Sequence, residues 1–145
     1  MSFADMLSRI NPLRRVATVH AHCDLMCGVY NPAQARIEAE SVLEVAKKYH
    51  DSDDEVFRAR CILIKEERAE LVKHHLSVLW TDYFKPNHIE SYPQLHELFW
   101  NAIKAAGDAK KTMDPKAGVD LLAKIDEIAA IFWETKGGKP EWMTA

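Results

Sequence analysis

Glycine and proline are scarce in this chain, five and six residues out of 145. The backbone therefore has few enforced breaks and should be mostly regular structure. Cysteine is scarcer, with three residues, and Cys23 and Cys27 stand only four positions apart. An odd count at that spacing argues against a disulfide framework and for reduced or metal-bound thiols in a reducing compartment. No apolar stretch approaches the roughly 20 residues that a membrane-spanning helix needs. The net charge is mildly negative, −3, so there is no basic footprint for nucleic acid. Sustained alternation of the strand type is also missing. What remains is 48% hydrophobic and 28% charged, in a length that suits one globular domain with a sizeable core.

Four helical patterns follow residue 30. The first opens at Asn31-Pro32-Ala33-Gln34, where Asn31 suits the cap and Pro32 the first helical position, and its apolar residues are Ile37, Val42, Val45, Ala46 and Tyr49. The second starts at Ser52-Asp53-Asp54-Glu55, with acids in the first turn, and can run unbroken to about Phe84, before Pro86. Its seam reads through Phe57, Cys61, Ile64, Arg68, Leu71, His75 and Val78. The third is expected from Ser91-Tyr92-Pro93-Gln94 through Leu95, Leu98, Phe99, Ala102, Ile103 and Ala106. The fourth starts at Asp114-Pro115, carries Leu121, Leu122, Ile125, Ile128, Ala129 and Phe132, and stops at Gly137-Gly138. Four amphipathic helices on short connections predict an all-α, antiparallel up-down-up-down four-helix bundle over residues 31–145.

Residues 1–21 read differently. Arg9, Arg14 and Arg15 interrupt or follow the apolar residues, so the segment is not a secretory signal. It reads either as a weakly structured tail or as a removable leader that ends at Ala21, a small residue suited to a cleavage site.

Between tail and bundle lies His22-Cys23-Asp24-Leu25-Met26-Cys27-Gly28-Val29-Tyr30. One imidazole and two thiols within six residues can gather metal ligands without help from a large fold. Thiolates with nitrogen donors suit zinc, copper or nickel, and a nitrogen-rich planar set points to Ni(II) or Cu(II). A tetrahedral zinc site usually wants four side chains, and this loop offers three. A cut before His22 would free an amine beside Cys23. Amine, Cys23 amide nitrogen and the thiolates of Cys23 and Cys27 could then close a square plane, with the His22 imidazole left for an axial position. On spacing alone, a pair of reduced thiols beside an incidental histidine fits equally well.

The same run resembles the hook of the nickel-containing superoxide dismutases, His-Cys-x-x-Pro-Cys-Gly-x-Tyr, and matches it everywhere except at Met26. Further resemblance lies in Pro32–Ser41, Ile64–Leu71, His74-His75-Leu76, Leu79–Pro86 and Ile131–Glu134. The resemblance implies a cytoplasmic, nickel-dependent enzyme that converts superoxide to oxygen and hydrogen peroxide by Ni(II)/Ni(III) cycling. It implies a precursor whose leader a protease removes between Ala21 and His22, and a homohexamer of four-helix bundles. It assigns the nickel ligands to His22, Cys23 and Cys27. Glu38 and Arg68 would hold the axial imidazole, Asp24 would support the loop around it, and Tyr30 and Tyr83 would stand over the open face. Without the resemblance, Glu38 reads as a solvated helix acid, Arg68 as a seam-edge arginine and Tyr83 as core or rim. A non-catalytic metal-binding bundle of the same family is the alternative function.

Met26 is the departure. The family's proline follows a cis bond, which costs about 0.5–1 kcal/mol before proline and roughly 2.5–4 kcal/mol before other residues. Methionine should therefore weaken nickel loading without removing a donor atom.

Overall fold

The computed structural model describes residues 27–139. Within them the chain forms α1 (Ala33–His50), α2 (Glu55–Val78), a π-helical stretch (Leu79–Tyr83), a short α3 (Pro86–Ser91), α4 (Leu95–Ala109) and α5 (Pro115–Thr135). The described residues contain no strand, and none of their helices is long and apolar enough to cross a membrane.

The expected boundaries hold where capping chemistry sets them. Asp54 accepts from the amides of Val56 and Phe57 at 2.9 and 3.1 Å, which satisfies two free donors at the start of α2. Asp114 does the same for Lys116 at 2.9 Å. The first helix starts one residue later than expected, at Ala33 with Pro32 at the cap position, and Asn31 Oδ1 takes the Ala33 amide at 2.8 Å. At the far end of α5, Gly138 (φ +119°) returns its amide to the Trp133 carbonyl at 2.8 Å, a left-handed closure that glycine makes without strain.

Short connections make α1/α2 and α4/α5 antiparallel neighbours. α1 also packs on α5 and α2 on α4, which closes the four long helices into a bundle. Its centre holds Phe99, Phe132, Leu76, Leu95, Leu121, Ile125 and Ile128. The expected apolar faces of α4 and α5 are the buried ones. α1 instead buries a stripe of small residues, Ala35, Ala39, Val42 and Ala46, and leaves Ile37 exposed. The small stripe lets α5 approach closely: a Cβ at Gly118 would sit 2.8 Å from Leu43 Cα.

Three details differ from the sequence-based expectation. The second helix does reach Tyr83, but its last turn widens into the π form. The expected connection after Pro86 contains the short helix α3. The seam of α2 runs through Cys61, Lys65, Ala69, Val72 and Leu76, sharing only Cys61 with the apolar seam read from the sequence, while Phe57 and Ile64 are exposed. Lys65 sets this phase. Its stem is buried and its ammonium donates to the carbonyls of Lys110 and Thr112 at 2.9 and 2.7 Å, which satisfies groups left open where α4 ends. Burial pushes the Lys65 pKa down from its ordinary value.

Candidate metal centre

Five of the candidate site residues, Cys27, Tyr30, Glu38, Arg68 and Tyr83, are described, and the fold joins the last four in pairs. His22, Cys23, Asp24 and Met26 lie outside the described residues.

Cys27 is exposed and leads into the bundle through Gly28, whose φ of +71° is a conformation open to glycine. The turn aims the Val29 amide at the Cys27 sulfur, 3.5 Å away. Two residues later Tyr30 packs onto the core, its ring centroid 5.7 Å from that of Tyr83. Helix α1 begins directly after this contact, so the bundle fixes the exit of the loop that holds Cys27.

Tyr83 ends the π-helical stretch and is gripped on several sides. Its ring lies 4.5 Å from Phe132 and 5.0 Å from Phe84, and it stacks on His88 at 5.6 Å. Lys136 Nζ stands 4.9 Å from the ring centre. The hydroxyl reaches Thr135 Oγ1 at 2.6 Å. Neither Thr135 nor Lys136 stood out in the sequence. Their meeting with Tyr83 joins the end of α5 to the end of α2, and no local pattern encodes it.

The second pair is Glu38 and Arg68. Arg68 Nη1 donates to Glu38 Oε2 at 3.2 Å, and its Nη2 donates to Glu67 at 2.9 Å. The Glu38 side chain is only 15% exposed, so it is not the solvated acid its sequence position suggested. A carboxylate held this way between α1 and α2 is of the kind that fixes the orientation of a ligand histidine.

Among the described residues, no group of three His, Cys, Asp or Glu side chains is placed to hold a metal ion. The donor set that suits one is the hook, of which Cys27 is the described member. Soft thiolates with nitrogen donors in one loop fit nickel. Cys27 is consistent with that need in the structure: an exposed thiol that leads into a glycine turn.

A helical bundle entered through an exposed thiol and a glycine turn is a frame on which a hook-type metal site can stand. Residues 17–136 match the family model for nickel-containing superoxide dismutase. The curated superoxide dismutase [Ni] of Streptomyces coelicolor is 56% identical over 131 residues, which span 90% of this chain and 98% of that protein. The enzyme of Streptomyces seoulensis matches to the same extent. Among solved structures, native nickel superoxide dismutase superposes with a TM-score of 0.79 at 57% identity, covering 81% of this chain and all of that one. A structure whose nickel ligation corresponds to the oxidised state gives 0.78 at 58% identity, with the same coverage. The chain therefore belongs to the nickel-containing superoxide dismutases: it is an enzyme, its cofactor is nickel and its substrate is superoxide.

Proposed function

We propose that the chain is a precursor, activated when a protease cuts between Ala21 and His22 to free the amine that the hook requires. Nickel would then be held by the amine and imidazole of His22, the amide nitrogen and thiolate of Cys23, and the thiolate of Cys27. When bound, the metal supplies one-electron chemistry between its divalent and trivalent states. Glu38, supported by Arg68, orients the His22 imidazole, and Asp24 supports the loop around it. Tyr30 and Tyr83 narrow the approach to the open face and order water there.

The observation that supports this reading is the Tyr30–Tyr83 contact, which joins two aromatic side chains from the two chain ends of the first helical hairpin, the first of them three residues after Cys27 in sequence. The solved relatives match a smaller share of this chain, 81%, than the curated sequences do, 90%, as expected if the working chain is shorter than its precursor. The buried free thiol of Cys61 suits a reducing, cytoplasmic setting. Helix α2 exposes Val56, Phe57, Ile62, Leu63 and Ile64, apolar surface that assembly into a homohexamer would cover.

The test is superoxide dismutation by protein that begins at His22 and has been loaded with nickel. Activity that vanishes in Cys23→Ser and Cys27→Ser is the expected result. Equal activity in protein that keeps residues 1–21 would sink the requirement for cleavage.

A further inference from the structure

Thr135 ends α5 and makes two hydrogen bonds through one oxygen. Its Oγ1 donates to the Phe132 carbonyl at 2.7 Å, the back-bond that threonine favours in a helix. The same oxygen lies 2.6 Å from the Tyr83 hydroxyl. A threonine hydroxyl carries one hydrogen. With that hydrogen on the Phe132 carbonyl, the contact to Tyr83 must be made by the tyrosine's hydrogen. The reverse assignment would leave Thr135 Oγ1 and the Phe132 oxygen 2.7 Å apart with no hydrogen between them. The ring cannot easily turn to another acceptor, because Phe132, Phe84, His88 and Lys136 all stand against it.

We infer that Thr135 is a positioning residue of the dismutase site: it occupies the hydrogen of the Tyr83 hydroxyl, so this phenol meets any further partner with lone pairs alone. The inference rests on the reading that Tyr83 stands over the open face of the metal. There, water and hydrogen peroxide can donate to the phenol oxygen, while Tyr83 itself offers the superoxide anion no hydrogen. Tyr83 orders the protonated species and does not retain the anion. Thr135, remote in sequence, determines which of those two roles the tyrosine plays.

The experiment has a spectroscopic and a kinetic arm. The tyrosine Fermi doublet in resonance Raman spectra separates phenols that donate from phenols that accept, and it is recorded on the protein with and without nickel. Thr135→Val should move the doublet away from the donor pattern, and Thr135→Ser should restore it. Tyr83→Phe, which leaves Thr135 in place, should delete the same donor component, so the assignment does not depend on how well Thr135→Val folds. A doublet unmoved by Thr135→Val and by Tyr83→Phe overturns the bond, whatever the turnover. In the nickel-loaded enzyme, Thr135→Val should lower turnover several-fold, yet add no further loss in a Tyr83→Phe background. An equal loss in both backgrounds would mean that Thr135 acts through the bundle and not through Tyr83, which overturns the positioning role. If the spectra behave as expected but Tyr83→Phe leaves turnover unchanged, the placement of Tyr83 at the site fails, and the positioning role falls with it.

Discussion

Glu38 on α1 and Arg68 on α2 meet at 3.2 Å, and the carboxylate is the more buried of the two. Arg68 also reaches Glu67, so its charge stays partnered if Glu38 is changed. Partners that orient a metal's ligands typically alter affinity or activity by about 10–100-fold when removed. Glu38→Gln and Arg68→Ala should therefore each lower nickel affinity or turnover within that range, with a small effect on melting temperature. Nickel titration alongside thermal unfolding checks this. A large fall in stability with nickel affinity intact would make the pair an ordinary interhelical tie.

Two glycines in helices should respond in opposite directions to alanine. At Gly118 the added Cβ meets Leu43 Cα at 2.8 Å, so α1 and α5 must separate. Overpacking of this kind costs about 1–3 kcal/mol. Gly107 has nothing within 4 Å of its added Cβ, and Gly107→Ala should stabilise α4 by about 0.5–1 kcal/mol. Denaturant unfolding of the two variants gives both signs in one experiment.

Lys65 predicts a pH effect. Desolvation lowers its pKa in the folded state below the ordinary 10.5, so just below that value the unfolded chain binds more protons than the folded one. Stability contributed by this group then rises with pH through that window. Lys65→Met leaves the Lys110 and Thr112 carbonyls without their donor, at a cost of about 1–3 kcal/mol. The difference between wild type and variant should widen as pH climbs towards 10.5. Parallel unfolding curves across that range would contradict it.

Met26→Pro should raise nickel occupancy when the metal is limiting. Proline reduces the freedom of the unligated loop, worth about 0.4–1 kcal/mol, or roughly two- to fivefold in affinity. Elemental analysis after dialysis against submaximal nickel is the readout. Unchanged occupancy would show that methionine costs the hook nothing.

Much of the fold was legible because local chemistry sets it. Asp54, Asp114 and the Gly137-Gly138 pair start and stop helices by satisfying or freeing particular backbone groups. The proposed hook could be read from the sequence because its candidate donors, His22, Cys23 and Cys27, are nearly contiguous. The phase of α2 was not. Ile62, Leu63 and Ile64 are apolar yet exposed, whereas Lys65 and Ala69, a charged residue and a small one, hold the buried stripe. A lysine whose ammonium finds two carbonyls cannot be told in sequence from a solvated one. The same holds at the site. Glu38 and Thr135 acquire their meaning from partners on other helices, Arg68 and Tyr83, which only the packed bundle brings to them.

The π-helical stretch at Leu79–Tyr83 also bears on how this chain can change in length. Loss of one residue from the middle of α2 would turn everything after it by about 100° and misalign the packed faces. A π turn carries one residue more than an α turn, so loss of a residue here lets the helix close as ordinary α-helix. Such a deletion should leave the bundle folded, with Tyr83 still next to Phe84 at the end of the helix. Here, unlike elsewhere along α2, the chain can lose a codon and keep its packed faces in register.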